Sequence, residues 1–322
     1  MGHGSYKASD WEKLRNSKGI NTLSSASDIF GQNTFSDKYD PRYISMRESC
    51  DSEDSPNSTP IILAFDVTGS MGYLAAEIGK NSLNKTATEL YDKQPVSNPH
   101  IMCAAITNPD TAPGGLQVTQ FEADIRVVEQ LLELKVGFGG NRYSFDSLVW
   151  YFAANHTDID SYKKRGKKGV IITIGDEICG GDQGEILTKE QIKKVFDDDV
   201  DRDLPLREVF DMASEKYEIF HIVVGFRHGF ESWDKFIPGR VAVLDNVSYL
   251  SETVISILQI LNGMDKDNAV GQWSSGAQEM VAKAVETIDL SRCKKSVPVP
   301  NPASAEQSAP AKKSFIAKIF GK

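Results

Sequence analysis

The chain has 322 residues, of which 40% are hydrophobic and 25% charged, proportions typical of a globular protein with one large domain or two small ones. Its formal net charge of −9 argues against a general nucleic-acid-binding protein, which needs a basic face. No apolar run approaches the roughly 18 residues of a membrane-spanning helix, so we expect no transmembrane segment. The scattered cysteines lack the short spacing of a metal site and predict free thiols in a reducing, cytoplasmic location: Cys50, Cys103, Cys179 and Cys293.

The first 59 residues are polar and lack a clear periodicity, apart from a short helical pattern near residues 9–15. A stretch rich in Ser, Asp and Pro ends this segment and predicts a loop. We expect the N-terminal extension, residues 1–59, to form an arm that packs on the main domain. Partner binding is the alternative role.

From residue 60 short apolar runs alternate with amphipathic helical patterns. The predicted strands are 61–65, 100–107, 116–121, 169–174, 219–224 and 241–244. The predicted helices are 70–91, 123–134, 147–154, 188–196, 206–217 and 249–261. Such alternation is typical of a mainly parallel sheet covered on both faces, and the short link before 116–121 predicts one antiparallel edge strand. We therefore expect an α/β fold over residues 60–262, a Rossmann-like three-layer αβα sandwich around six strands.

Two further segments follow this domain. Residues 263–295 carry a helical pattern over 275–290 and predict a helical extension. Residues 296–322 begin with a Pro-, Ala- and Ser-rich stretch that predicts a disordered linker, and they end in a basic amphipathic tail. The apolar residues of the tail predict a docking peptide or a weak membrane-surface helix, with a frayed end as the alternative: Phe315, Ile316, Ile319 and Phe320.

Oxygen-bearing side chains follow the first apolar strand where it turns into a helix, namely Asp66, Thr68 and Ser70. The carboxyl ends of parallel strands meet at one edge of a sheet, which is where open α/β sheets bind ligands. One carboxylate with neighbouring hydroxyls is a hard, oxygen-only donor set that suits Mg²⁺, Mn²⁺ or Ca²⁺ better than zinc. The alternative is a structural turn in which Asp66 or Thr68 caps the following helix.

Two later loops offer more oxygen atoms to the same edge. The strand at 169–174 leads to Asp176, with Glu177 beside it, and a glycine-rich turn carries Asn141. Ser144 and Asp146 lie a few residues after that turn. Together these groups would hold a divalent ion without neutralising its charge. An open coordination position would then attract an Asp or Glu from a protein partner.

These three motifs resemble the metal-ion-dependent adhesion site of von Willebrand factor type A domains, and the resemblance covers residues 60–262. The family pattern is Asp-x-Ser-x-Ser, then a Thr in a Gly-Gly-Thr loop, then an Asp after the fourth strand. Here Thr68 replaces the first Ser, and Asn141 replaces the loop Thr, with Ser144 as the alternative ligand. The resemblance implies the fold of that family, Mg²⁺ as the usual ion and a set of metal ligands: Asp66, Thr68, Ser70, Asn141 and Asp176. Three further residues would either bind the ion from the second loop or support its ligands: Ser144, Asp146 and Glu177.

The resemblance also implies a function without catalysis. It implies a Mg²⁺-dependent protein-binding module or scaffold in an intracellular multiprotein assembly, in which a partner carboxylate completes the coordination of the metal. Intracellular relatives often work with AAA-type ATPases, which suggests such a complex as the partner.

Two other functions are compatible with the sequence. A metal-dependent phosphohydrolase also ends a strand in an Asp motif, but it needs a second acid two residues later, where this chain has Thr68. A scaffold whose site has lost its metal would bind through its tails. The sequence has no Gly-x-Gly-x-x-Gly or Walker A loop for a nucleotide, and no nucleophile–base pair for other catalysis. We therefore expect no enzyme activity.

Overall fold

The apolar run at 61–65 forms the centre of a longer buried strand in the computed structural model of the protein. The structure describes residues 6–21, 23–30, 35–111, 114–137, 140, 143–225 and 229–292. The strands in these ranges are β1 (Arg47–Ser49), β2 (Thr59–Asp66), β3 (Pro99–Ile106), β4 (Leu116–Val118), β5 (Thr157–Ile159), β6 (Gly169–Gly175), β7 (Ile186–Leu187), β8 (Leu204–Pro205), β9 (Tyr217–Val224) and β10 (Val241–Leu244).

Thirteen α-helices lie within the same described ranges. They are α1 (Ala8–Lys18), α2 (Ala26–Ile29), α3 (Gly72–Glu77), α4 (Leu83–Lys93), α5 (Arg126–Leu131), α6 (Ser147–Asn155), α7 (Asp160–Arg165), α8 (Lys189–Phe196), α9 (Leu206–Lys216), α10 (Phe230–Phe236), α11 (Leu250–Leu261), α12 (Lys266–Gly271) and α13 (Ser275–Val285). Each of these described helices is too short or too polar to cross a lipid bilayer.

Six strands form the central sheet in the order β10–β9–β6–β2–β3–β4. Neighbouring strands run parallel, except that β4 pairs antiparallel with β3. This confirms the predicted mainly parallel sheet with one antiparallel edge. The chain passes from β2 to β3 on one side and later returns to β6 on the other side. The topological switch point, where open α/β sheets bind ligands, therefore lies between β2 and β6.

The side chains of β2 point alternately to the two faces of the sheet, as the two-residue period of a strand requires. Ile61, Leu63 and Phe65 pack on one face in a hydrophobic cluster with residues of α4, α11 and α13. Ile62 and Ala64 pack on the other face with residues of α6, α8 and α9. Because helices cover both faces, all eight residues of β2 are buried. The fold is the predicted three-layer αβα sandwich.

The segments on either side of residues 60–262 contribute to the same core. Trp11 and Phe30 from the N-terminal segment are buried in the first cluster, and so are Trp273 and Val281 from the C-terminal helices. Strands β1 and β5 form a separate two-stranded parallel sheet. The N-terminal segment thus packs on the sandwich as an arm. The linker and tail predicted for residues 296–322 lie outside the described residues.

The long helix after β2 differs from the prediction for 70–91. It begins at Gly72, and a π-helical turn, Ile78–Ser82, separates α3 from α4. Gly79 lies in this turn, where a Cβ atom would come within 2.7 Å of the side chain of Ile29 and 3.1 Å of Phe30. The arm therefore packs against the helix at a position where only glycine leaves enough room.

Two other elements are shorter than predicted, because side chains take hydrogen bonds that the backbone would otherwise make. In the predicted helix 123–134, Asp124 accepts the backbone N–H of Arg126 at 3.0 Å, and only α5 is α-helical. Strand β4 stops before Thr119, whose hydroxyl oxygen accepts the N–H of Cys103 at 2.8 Å.

Candidate functional site

Asp66 is the last residue of β2, so it lies at the carboxyl edge of the sheet. Its side chain is buried, and its Oδ1 accepts the backbone N–H of Thr68 at 2.8 Å. Its Oδ2 is also buried and has no hydrogen-bond partner among the described residues. Burial raises the pKa of Asp66 to about 7, against the hydrogen bonds from Thr68, and the charges of Asp176 and Asp146 raise it further. One oxygen of a buried carboxyl group is therefore left unused.

Thr68 places a second oxygen atom next to Asp66. It is only 2% exposed, and it lies close enough to Asp66 to lower the pKa of that carboxyl group, against the effect of burial. It makes no side-chain capping bond to the short 3₁₀ turn that follows, Gly69–Met71. Of the two alternative caps, Asp66 accepts an N–H at the start of this turn, whereas Thr68 makes no side-chain cap.

Asp176 follows β6, the strand beside β2. Phe65 pairs with Ile174 in the register of these strands, and a Cβ atom on Gly175 would lie 3.4 Å from the Cβ of Asp66. The Oδ1 of Asp176 is buried without a hydrogen-bond partner in the described part of the chain, and burial raises the pKa of this carboxyl group. Two carboxyl groups, each with one oxygen unpartnered among the described residues, thus lie at the ends of the two strands that flank the switch point.

The loop before α6 brings Ser144 and Asp146 to the same region. The backbone N–H of Ser144 donates to the carbonyl of Ile178 at 3.0 Å, which ties this loop to the one that carries Asp176. The Ser144 hydroxyl donates to Oδ1 of Asp146, and both side chains are buried. Asp146 is close enough to Asp66 for its charge to raise the Asp66 pKa. The two loops and the end of β2 therefore form one polar cluster.

A buried network that the sequence analysis did not predict supports this cluster from below. The Oδ2 of Asp146 lies 3.2 Å from Nδ1 of His221, and the same nitrogen lies 2.7 Å from Oγ1 of Thr173. His221 stacks on Trp233 with ring centroids 3.8 Å apart. Thr173 is the single residue with a polar side chain in β6, and His221 interrupts the apolar run 219–224 of β9. That interruption was the available signal, but the register that makes the two residues neighbours could not be read from it.

A second unpredicted pair lies next to Asp146. Ser147, the first residue of α6, donates its hydroxyl hydrogen to Oε1 of Glu185, and both side chains are buried. Burial raises the pKa of Glu185 to about 8, the hydrogen bond from Ser147 opposes this, and the charge of Asp146 adds to it. The region behind the site therefore contains a buried carboxyl group, that of Glu185, in addition to those of the three predicted motifs.

Several predicted site residues are not placed by the structure. Ser70 belongs to the turn Gly69–Met71, but its side chain is outside the described part of the chain, as are Asn141 and all the tail residues: Phe315, Ile316, Ile319 and Phe320. Glu177 is half-buried, and its carbonyl accepts the indole N–H of Trp233 at 3.1 Å. The structure thus brings together Asp66, Thr68, Asp176, Ser144 and Asp146.

The donors at this edge fit a hard divalent cation. They are carboxylate and hydroxyl oxygens, and two of the carboxylate oxygens are buried and unpartnered within the described ranges. A buried carboxylate is costly to keep charged unless an opposite charge neutralises it. Among the described residues, no three His, Cys, Asp or Glu side chains are grouped to hold a metal ion. An ion here would therefore depend on hydroxyl or water oxygens as well as on carboxylates.

Comparisons with known proteins give little further guidance. No family model matches the chain, and no curated protein matches it. Among solved structures it is similar to the open conformation of the pilus adhesin SpaC from Lactobacillus rhamnosus GG, with 11% identity and a TM-score of 0.42 over 67% of this chain and 30% of that one. Another crystal structure of that adhesin gives 12% identity and a TM-score of 0.42 over 69% and 31%.

The second protein is proximal thread matrix protein 1 from the mussel byssus. It shares 12% identity with a TM-score of 0.39 over 63% of this chain and 48% of that one. The chain thus spans less than half of each of these proteins. Similarities at this level carry no conclusion about function.

Proposed function

We propose that the protein is a divalent-cation-dependent protein-binding module, built like a von Willebrand factor type A domain. The observation that carries the proposal is the buried Oδ2 of Asp66, which has no hydrogen-bond partner among the described residues, in a carboxyl group whose pKa is raised by the charge of Asp176 on the neighbouring strand end. A buried, unpartnered carboxylate oxygen needs a cation or a proton.

The cation would be Mg²⁺, with Mn²⁺ or Ca²⁺ as alternatives of the same ligand preference. Asp66, Thr68 and Asp176 would hold it, together with Ser70 and with Ser144 or Asn141. Once bound, the ion would neutralise the local acidic charge and offer a coordination position to a carboxylate oxygen. An Asp or Glu of a protein partner would fill that position, so the module would bind its partner without catalysing a reaction.

We propose an intracellular, cytoplasmic assembly as the setting. Cys103 and Cys179 are buried free thiols, which fit a reducing compartment. The resemblance of the three motifs suggests an AAA-type ATPase complex as the partner, and the net charge of −9 disfavours nucleic acid.

Isothermal titration of the chelator-stripped protein with Mg²⁺, Mn²⁺ and Ca²⁺ tests the cation site. We expect saturable binding that is lost in Asp66→Asn, which keeps the acceptor for the Thr68 N–H but removes the charge. Asp211→Asn, on the exposed side of α9, is the matched control and should bind as the unmodified protein does. Equal binding by all three proteins would contradict the proposed site.

The phosphohydrolase alternative is tested with a generic aryl phosphate in the presence of Mg²⁺. The position where that chemistry needs a second acid is Thr68, a buried hydroxyl residue whose backbone N–H donates to Asp66. We expect no hydrolysis above the background rate. Turnover that disappears in Asp66→Asn would contradict a purely binding function.

A further inference from the structure

Tyr73 places an aromatic side chain at the rim of the candidate site. It lies in the first turn of α3, directly after the turn that follows Asp66 and Thr68. Its side chain is 50% exposed, although it is a large ring. Nothing in the three motifs accounts for an aromatic residue at this position.

The position of the Tyr73 hydroxyl is fixed by two observations. A Cβ atom on Gly225, at the end of β9, would lie 3.6 Å from this oxygen. The charge of Asp176 reaches the phenol and, after burial, is the second cause that raises the Tyr73 pKa. Because β9 and β6 are neighbours, the ring lies across the carboxyl end of the sheet beside Asp176.

Gly225 is the backbone position next to the Tyr73 hydroxyl. It has a positive φ of 81°, a conformation that favours glycine, and its N–H donates to the carbonyl of Leu244 at 3.0 Å. The backbone next to the Tyr73 hydroxyl is thus held in place by β10.

The Tyr73 hydroxyl makes no hydrogen bond within the described part of the structure. It is therefore a free neutral donor at the edge of a cluster of carboxyl groups. These carboxyl groups repel an anionic ligand until a cation neutralises them. A tyrosine hydroxyl can bind such a ligand without adding charge of its own, and its ring offers apolar area to the methylene groups of an acidic side chain.

We propose that Tyr73 is the second point of attachment for the partner's Asp or Glu. The cation holds one carboxylate oxygen, and the Tyr73 hydroxyl donates a hydrogen bond to the other. This rests on the proposed function of the same site and adds a specificity-determining residue to it. Tyr73 selects a ligand with two acceptor oxygens over water or a monatomic anion.

The test uses the full chain loaded with Mn²⁺ and a short acetylated Gly-Glu-Gly amide peptide as the probe. The water proton relaxation rate falls when the Glu carboxylate replaces a water on Mn²⁺. We compare the unmodified protein with Tyr73→Phe, and with Tyr43→Phe as the control, because Tyr43 is an exposed tyrosine in the N-terminal segment. The corresponding Gln peptide controls for the carboxylate.

We expect Tyr73→Phe to bind Mn²⁺ as the unmodified protein does but to need a peptide concentration about tenfold higher or more, the loss expected for one hydrogen bond to a charged group. If the three proteins reach half of the relaxation change at the same peptide concentration, Tyr73 has no role in binding, and the cation site is unaffected. A weaker Mn²⁺ affinity in Tyr73→Phe would also overturn the role of Tyr73, because the residue would then act on the ion. If Mn²⁺ does not bind at all, both this inference and the proposed function are wrong. If Mn²⁺ binds but the peptide displaces no water, the carboxylate ligand and with it Tyr73 are excluded.

Discussion

Asp66 and Asp176 lie at the carboxyl ends of two neighbouring parallel strands, and each has one buried carboxylate oxygen without a hydrogen-bond partner among the described residues. Burial raises the pKa of both groups, and the charge of Asp176 also raises that of Asp66. Two such groups lower each other's tendency to ionise unless a cation lies between them. The state of this pair should therefore control both the stability and the cation dependence of the protein.

The first prediction concerns the effect of Mg²⁺ on stability. In chelator at pH 8, Asp66→Asn should be at least as stable as the unmodified protein, because it removes a charge that is costly to bury. Added Mg²⁺ should stabilise only the unmodified protein, by about 3 kcal/mol at a concentration roughly 100 times the dissociation constant. Urea denaturation with and without Mg²⁺ measures both effects. An equal gain in the two proteins would place the bound Mg²⁺ elsewhere.

The second prediction separates the Thr68 hydroxyl from its methyl group. Thr68 is 2% exposed, so Thr68→Val fills the same space without the oxygen, while Thr68→Ser keeps the oxygen. We expect Thr68→Ser to bind Mn²⁺ nearly as well as the unmodified protein and Thr68→Val to bind about tenfold more weakly or worse, since a neutral oxygen ligand is lost. Titration calorimetry gives the Mn²⁺ affinities. Similar affinities of Thr68→Val and Thr68→Ser would exclude the Thr68 hydroxyl as a ligand.

The first motif could be predicted from sequence because it is local. An apolar run that ends at Asp66 and is followed by a helical pattern determines both the strand end and the turn. Asp176 could be predicted for the same reason, at the end of a second apolar run. The strand order β6–β2–β3 could not, because several orders satisfy the same alternation of strands and helices, and only orders with β6 beside β2 put Asp66 next to Asp176.

The unpredicted parts depend on contacts between residues distant in sequence. Strands β1 and β5 have three residues each and pair Arg47 with Thr157, so neither has enough length to show a period. The pairing of His221 with Asp146 needs both a strand register and a loop position. The π-helical turn at Gly79 follows a helical pattern that looks continuous in sequence, and its close contact is made with the arm.

The third prediction tests His221 as a support for the second loop. His221→Leu leaves Oδ2 of the buried Asp146 without the nitrogen that lies 3.2 Å away, and an unpaired buried polar group is costly. We expect a loss of about 3 kcal/mol in the free energy of unfolding. Urea denaturation of His221→Leu, Asp146→Leu and the double variant forms a double-mutant cycle. A coupling energy of about 1 kcal/mol or more would support the contact, and strict additivity would rule it out.

The fourth prediction concerns the contact between the arm and the long helix. Gly79→Leu would place side-chain atoms where Ile29 and Phe30 now pack, since even a Cβ atom would come within 2.7 Å of Ile29. The variant should release the arm, lower the stability by about 1–3 kcal/mol, and let trypsin cleave the backbone of α1, whose basic side chains are already at the surface. Gly276→Leu in α13 is the control, because a Cβ atom there meets nothing within 4 Å. Unchanged protection of α1 in Gly79→Leu would show that the arm is held by other contacts.

The last prediction uses Glu185, which is buried and hydrogen-bonded to Ser147. Burial raises its pKa from 4.5 to about 8, so between these values the folded protein keeps a proton that the unfolded chain has released. Stability should therefore fall as the pH rises through this window and level off above pH 8, a loss on the order of 5 kcal/mol. Below pH 4.5 both states are protonated and the group has no effect.

Glu185→Gln removes this titration and keeps an acceptor for the Ser147 hydroxyl. Relative to the unmodified protein, it should be similarly stable at pH 5 and clearly more stable at pH 8.5 in urea denaturation with chelator present. Other buried acids titrate in the same window, so the informative quantity is the difference between the two proteins at each pH. Glu190→Gln, on the exposed side of α8, should show no such difference. If Glu185→Gln also shows none, the Glu185 carboxyl group ionises freely in the folded protein, and its burial against Asp146 does not govern the pH dependence.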